Sequence, residues 1–315
     1  MNTRRNRLSR LASPPRPAHH DAVMTVPLPD GSRDRRIEDP TNLWLIHPAA
    51  RALLPSAIAA GVSANAVSLT GLALGVGAAL CYADWASPLA VLLGLLLSVG
   101  WLIADGLDGM VARATGSASP LGRLLDGVCD HGVFILIYVA MALSIGTGEG
   151  WTLAVLAGAA HIAQSSLYEG ERARFHRRLR GVAAIAERRP AAGTPLLVRG
   201  YDRLAGLPDR LGLPFERLLA RQDHPALLAA RYGEQAVPAM RFQSLLSANV
   251  RVWLIAVACL LGNPRIFWWI EIVALSLVAV AGLMLHRRVE RDLAASILPI
   301  RGGDTFSPAL PTRDR

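Results

Sequence analysis

Six uncharged apolar runs recur along the 315-residue chain, and nothing else in the sequence restricts its fold as tightly. They lie at 64–83, 88–104, 133–146, 151–168, 252–262 and 266–286, the last interrupted only by Glu271. An α-helix rises about 1.5 Å per residue, so roughly 20 apolar residues cross the ~30 Å hydrocarbon layer of a bilayer. The runs at 133–146 and 252–262 are short by that measure. Each is expected to extend into polar neighbours buried against other helices, through Asp126 and Asp130 in one case and from near Ser244 in the other. With 52% hydrophobic and 18% charged residues, a disordered chain and an ordinary soluble globule are both excluded. The expected fold class is all-α, a polytopic membrane protein with six transmembrane helices preceded by an interfacial amphipathic helix.

The placement of positive charge sets the expected topology. All 33 basic residues are Arg. Nine fall within 1–51, two in the turn 113–123, fifteen within 172–251 and six within 287–315. Six spans with a cytoplasmic N-terminus put all four groups on one side, the positive-inside pattern, with both termini cytoplasmic and the chain in the cytoplasmic (inner) membrane. Residues 1–40 read as a disordered basic cytoplasmic tail lying on anionic lipid. Residues 41–60, with Trp44, Leu45, Ile46, Leu53 and Leu54 among polar neighbours, read as the interfacial helix, interrupted near Pro48 and Pro55.

Residues 61–290 then form the six-helix catalytic domain, with a cytoplasmic insert at 176–243 and a second cytoplasmic tail at 291–315. The insert reads as broken amphipathic helices punctuated at Gly206-Leu207-Pro208 and Gly212-Leu213-Pro214. Cys81, Cys129 and Cys259 are too scattered for a disulfide framework or a zinc site. The net charge of +9 lies beside the membrane, so lipids are the expected partners and nucleic acid is not.

Four carboxylates stand where a membrane span should hold none. Asp105 and Asp108 are three residues apart at the cytoplasmic end of the second span, and Asp126 and Asp130 are four apart at the start of the third. Each pair shares a helix face. The Gly/Ser-rich turn between them makes the two helices antiparallel neighbours, so the pairs are expected to converge just below the cytoplasmic interface. Four like charges there require protonation or bound cations. Oxygen-only ligands suit two divalent cations, Mg²⁺ or Mn²⁺, and such a pair clamps the attacking and leaving oxygens of a phosphoryl displacement. Arg113, one turn beyond the first pair, has the fork geometry for a diphosphate. Gly109, Ala112 and Gly122 are small enough to let a nucleotide or a neighbouring backbone approach.

The pattern Asp105-x2-Asp108-Gly109-x2-Ala112-Arg113-x8-Gly122-x3-Asp126-x3-Asp130 resembles the signature of the CDP-alcohol phosphotransferase family at all eight of its fixed positions. The resemblance covers roughly residues 65–286 and implies a six-helix membrane fold. It implies that Asp105, Asp108, Asp126 and Asp130 hold the metals and that Asp130 is also the general base. It further implies that Asp105, Gly109, Ala112 and Arg113 embrace the cytidine diphosphate. Asn65 resembles the family's Pro-Asn-x-x-Thr start, with Ala64 and Ser68 replacing its Pro and Thr. The implied activity moves a phosphatidyl or other phospho-alcohol group from a CDP-linked donor, CDP-diacylglycerol in the first instance, to an acceptor hydroxyl, releasing CMP for phospholipid biosynthesis at the cytoplasmic face. The alternative from another class is an ion or proton transporter built on intramembrane carboxylates.

Other polar residues near the spans have two readings each. His131 is either an assistant to Asp130 or a packing residue. His161 and Gln164 either line an acceptor pocket or bond between helices. Glu169, Glu171, Arg172, Arg174 and Arg178 either bind a phosphorylated acceptor or touch lipid phosphates. Glu271 reads as structural or as reaching the outer interface. Gly71-x3-Gly75 suits helix packing, within the chain or in a homodimer.

Overall fold

The structure, a computed structural model, describes residues 34–117, 120–184, 207–222 and 225–297; the side chains of 120–128, 130, 207–209 and 297 fall outside that description. The described residues are helical, without strands. A π-turn at Asn42–Ile46 leads into α1 (His47–Ala59). Then follow α2 (Ala64–Ala83), α3 (Pro88–Ala114), α4 (Pro120–Ile145) and α5 (Gly148–Leu179). Next come α6 (Leu207–Ala220), α7 (Pro225–Gln235), α8 (Val237–Gln243) and α9 (Ala248–Leu260). The last helix, α10, runs without a gap through Arg265–Trp269, a π-segment Ile270–Leu275 and Ser276–Ile297.

Local chemistry accounts for the boundaries. Ser63, Ser87, Thr147 and Ser247 each turn a side-chain oxygen onto a backbone N–H of the first turn of α2, α3, α5 and α9. Gly116, with φ +66°, closes α3 in the left-handed conformation, so the chain can turn back toward α4.

Three helices among the described residues are long and apolar enough to cross a membrane: α2, α3 and the Arg265–Ser296 part of α10. The segments Val237–Leu246 and Ala248–Leu260 make a fourth if their 44° bend is one broken span. The break has a sequence cause, since Ser247 takes an extended backbone (ψ 156°) to cap α9. The described part of α4, His131–Ile145, is apolar but short. At 32 residues α5 is about 48 Å long. It is not among the helices apolar enough to qualify, because His161, Gln164, Ser165 and Ser166 interrupt its apolar stretch. Leu80, Leu89, Leu96, Val155 and Leu277 point outward, each more than 60% exposed, as a lipid-facing surface requires.

The main core gathers Trp101, Phe134, Tyr138, Ile255 and Trp268 from α3, α4, α9 and α10. α2 packs closely against both α3 and α4, and its glycines permit this. A Cβ on Gly71 would meet Ala104 Cβ at 3.2 Å, and one on Gly75 would meet Val133 Cγ2 at 2.2 Å. Gly71 and Gly75 are therefore engaged within the chain. Gly75→Ala is expected to cost about 1–3 kcal/mol by overpacking. Thermal unfolding in detergent reads the loss, and Val133→Ala in the same chain should restore most of it.

A second core joins Ile37, Phe175, Phe215, Leu228, Tyr232 and Leu293, so α6, α7, the end of α5 and the end of α10 form one helical cap. Four boundaries differ from expectation. Residues 34–40, expected in the disordered tail, are built into this cap, with Ile37 1% and Asp39 3% exposed. α1 continues through Pro55, and the helix also runs on through Pro48, whose missing N–H falls just after the π-turn Asn42–Ile46. α6 runs through Gly212-Leu213-Pro214 instead of breaking. α10 extends to Ile297, into the segment expected as a tail. Burial of Ile37 and Asp39, of Phe215 and Glu216, and of Leu293 accounts for the first, third and fourth; Pro55 itself is exposed. Residues 1–33 and 298–315 lie outside the described residues.

Candidate active site

The four aspartates divide between α3 and α4. On α3, Asp108 is 5% exposed and accepts a hydrogen bond from Ser68 Oγ of α2 at 2.5 Å. That hydroxyl also bonds Ala64 O at 3.2 Å, which ties the carboxylate to the first turn of α2. Ser68, noted in the sequence only as a replacement for Thr, is thus the residue of its motif that touches the acidic pair. Asn65, one turn earlier, is exposed. Asp105 is half-buried on the next turn of α3.

Asp126 and Asp130 are positions on α4, with side chains outside the described residues, as are those of Gly122 and its neighbours. Their level relative to α3 follows from a contact that is described. Trp101 of α3 and Phe134 of α4 meet edge to face, ring centroids 5.3 Å apart. Asp105 lies four residues toward the C-terminal end of α3 from Trp101, and Asp130 four residues toward the N-terminal end of the antiparallel α4 from Phe134, the same direction in space. A step of four residues keeps a helix face and rises about 6 Å. Asp105 and Asp130 therefore share a level, and Asp108 and Asp126 share the next. Among the described residues no three His, Cys, Asp or Glu side chains come together to hold a metal; two of the four aspartate side chains lie outside that set.

Arg113 is exposed at the end of α3, and its guanidinium folds back along the helix. A Cβ on Gly109 would lie 3.3 Å from Arg113 Nη1, so the absent side chain gives the guanidinium its resting place. Ala112 is half-buried beside it. A cavity of about 130 Å³ opens against Asp105, lined among others by Asn42, His47, Tyr168, Arg172 and Asn249. It is bordered by the start of α1, by α5 and by the first turn of α9.

The charged residues of α5 have structural partners. Glu171, Arg174 and Arg178 are at most 2% exposed and belong to a network that links α5, α6, α7 and α10. Glu171 pairs with Arg174, with Arg287 and with His286 Nδ1, the last at 2.5 Å. Arg178 pairs with Glu216 at 2.9 Å and with Glu290, and its Nη2 donates to Gly212 O at 3.4 Å. A Cβ on Gly212 would lie 2.9 Å from one guanidinium and 3.1 Å from another, so only glycine allows the approach. Tyr232 Oη stands 2.7 Å from His286 Nε2, and burial pushes its pKa up to about 12, so it keeps its proton. These contacts replace the expected phosphate or lipid contacts for Glu171, Arg174 and Arg178. Arg172 differs, since it reaches Glu38 at 2.6 Å and Glu169 at 3.5 Å beside the cavity.

Glu271, fully buried, is structural and does not reach the outer interface. It holds Arg251 Nε at 3.0 and 3.1 Å. Arg251 also donates to Gln164 Oε1 at 2.8 Å, and Gln164 Nε2 donates to Glu271 O at 2.9 Å. His161 lies 3.7 Å from Glu271 and stacks near Phe134 at 4.4 Å. His161 and Gln164 therefore bond between helices. His131, half-buried, stands 6.2 Å from His161, ring to ring.

Residues 62–174 match the family model described as CDP-alcohol phosphatidyltransferase. Cholinephosphotransferase 1 of Gallus gallus is 35% identical over 96 residues, 28% of this chain and 29% of the relative. That of Xenopus laevis is 35% identical over 96 residues, 28% and 24% respectively, and that of Rattus norvegicus 42% identical over 62 residues, 18% and 16%. The chain thus spans less than a third of the length of these curated relatives. The matched region begins at the start of α2 and ends in α5, enclosing Ser68, all four aspartates and Arg113, and so the part of the chain that holds the acidic pattern is the part similar to the CDP-alcohol phosphatidyltransferase model.

Proposed function

We propose that this chain is a membrane phosphotransferase that passes a phospho-alcohol group from a CDP-linked alcohol to a second alcohol and releases CMP, in phospholipid biosynthesis. The observation that carries the reading is the shared register of the two acidic pairs about the Trp101–Phe134 contact, within the matched region. Asp105, Asp108, Asp126 and Asp130 are the ligand set for two divalent cations. Carboxylate oxygens alone suit Mg²⁺ or Mn²⁺, and the Ser68 bond to a buried Asp108 supplies the outer support such ligands use. When bound, such a pair neutralises the diphosphate and makes the acceptor hydroxyl more acidic.

The protein's own groups do the rest. Arg113, parked over Gly109, swings onto the diphosphate and offsets charge on the departing CMP. Ala112, Gly122 and Asn65 leave room for the nucleotide. Asp130 takes the proton of the acceptor hydroxyl as its oxygen bonds to the β-phosphorus; the bond to the α-phosphate oxygen breaks, and CMP carries that electron pair away. Six spans, with the short α4 and the bent α8–α9 pair among them, place this chemistry at the inner leaflet, with both termini cytoplasmic.

The test is CMP release by the full-length protein in nanodiscs. CDP-diacylglycerol is offered with free alcohols, and CDP-linked amino alcohols are offered with diacylglycerol. CMP formation in either arm is expected with Mg²⁺ or Mn²⁺ and absent with a chelator. No CMP in either arm, with ion flux across the membrane, would replace this reading with the transporter.

A further inference from the structure

The cavity against Asp105 says what kind of head-group alcohol the site accepts. Its volume, about 130 Å³, is slightly below that of a 150 Å³ cavity known to hold a benzene-sized ligand. A molecule of about six to eight heavy atoms fills it; a phosphorylated polyol is too large. Its polar lining includes Asn42, Ser247, Asn249, Tyr168 and His47. Asn42 and Asn249 are held in place from behind. Asn42 Nδ2 donates to Glu38 at 3.1 Å, and Asn249 Nδ2 donates to Asp39 at 2.8 Å.

The charge balance is more selective than the size. Arg172 is the sole guanidinium among the described lining residues. Glu38 at 2.6 Å and Glu169 at 3.5 Å already compensate it. Glu169 and Asp105 line the cavity, and Glu38 and Asp39, 8% and 3% exposed, stand directly behind it. With Asp105 neutralised by the proposed cations, a phosphate monoester entering here still meets Glu38 and Glu169 and a guanidinium that both already engage. An ammonium group or a neutral hydroxyl meets acceptors.

We infer that this cavity binds the head-group alcohol, and that Glu38, Glu169 and Arg172 select alcohols bearing no phosphate beyond the one transferred, neutral or amine-bearing. The inference rests on the transferase reading above and makes it more specific. It holds whether the alcohol arrives free or CDP-linked, since the same carbon skeleton occupies the cavity before or after transfer.

The full-length protein in nanodiscs, with Mn²⁺, is given matched pairs, glycerol against glycerol 3-phosphate and serine against phosphoserine, each with CDP-diacylglycerol; inositol and inositol 1-phosphate, both larger than the cavity holds, are offered separately, and CMP release confined to them would overturn the inference. A separate arm uses CDP-ethanolamine and CDP-choline with diacylglycerol. CMP release is expected from an unphosphorylated member or from the CDP-amino-alcohol arm, the responding arm identifying how the alcohol arrives. CMP release confined to a phosphorylated member would overturn the inference and leave the transferase reading intact; CMP from none of them would end the transferase reading itself. Glu38→Gln and Glu169→Gln each free part of Arg172 and are expected to shift relative use toward the phosphorylated partner by about tenfold or more. Glu169 is a surface residue, 63% exposed, so its variant folds. An unchanged ratio in both variants would also overturn the assignment.

Discussion

Asp108→Asn is expected to reduce CMP release by on the order of 10³-fold or more, because a metal ligand, the role proposed for Asp108, contributes several kcal/mol of transition-state stabilisation. The amide keeps the size of the carboxylate and can still accept from Ser68 Oγ, so thermal stability should change little. Mn²⁺ titration of the same variant should show weakened metal binding. Ser68→Ala is the informative companion. It leaves every carboxylate in place and removes only the hydroxyl that orients Asp108, so metal affinity should fall about 10–100-fold. Asp130→Asn should behave differently from both, with turnover lost and CDP-donor binding retained. Activity persisting in Asp130→Asn would remove that residue from the base role.

The second large effect concerns the fully buried Arg251–Glu271 pair, which joins α9 to α10. Removing one partner strands a charge in a low-dielectric interior. Glu271→Ala or Arg251→Ala should therefore cost about 3–5 kcal/mol. The double variant Arg251→Met/Glu271→Leu strands no charge and should be near neutral or more stable by comparison. Equilibrium unfolding in detergent compares the three. Single variants no less stable than the double would show that the pair carries no such penalty.

The acidic pattern on α3 and α4 was readable because its chemistry is local. Three- and four-residue spacings put each pair on one face, and Arg113 follows within a turn. The starts of α2 and α3, at the apolar runs 64–83 and 88–104, are equally local. What escaped the sequence was pairing at a distance. Glu271 was judged alone in its span, because Arg251, its partner, sits on another helix and was counted with the cytoplasmic charges. Glu171, Arg174 and Arg178 suggested a phosphate site because Glu216, Glu290, Arg287 and His286 join them only after α6, α7 and α10 fold back. Pro214 is a breaker by local rules, while burial of Gly212, Phe215 and Glu216 around it decides in favour of helix. The Ser68–Asp108 bond spans forty positions, and only the close approach of α2 to α3 reveals it.

The break at Ser247 has a consequence for how reactants of opposite solubility meet. α9 alone is 13 residues, about 20 Å, some 10 Å less than the oily layer it helps to fill. Its first turn begins beside the cavity, where Ser247, Ala248 and Asn249 are lining residues. An unbroken span would seal this notch against water. In the reaction proposed above, the break lets a polar alcohol and a lipid share one shelf without either leaving the solvent it prefers.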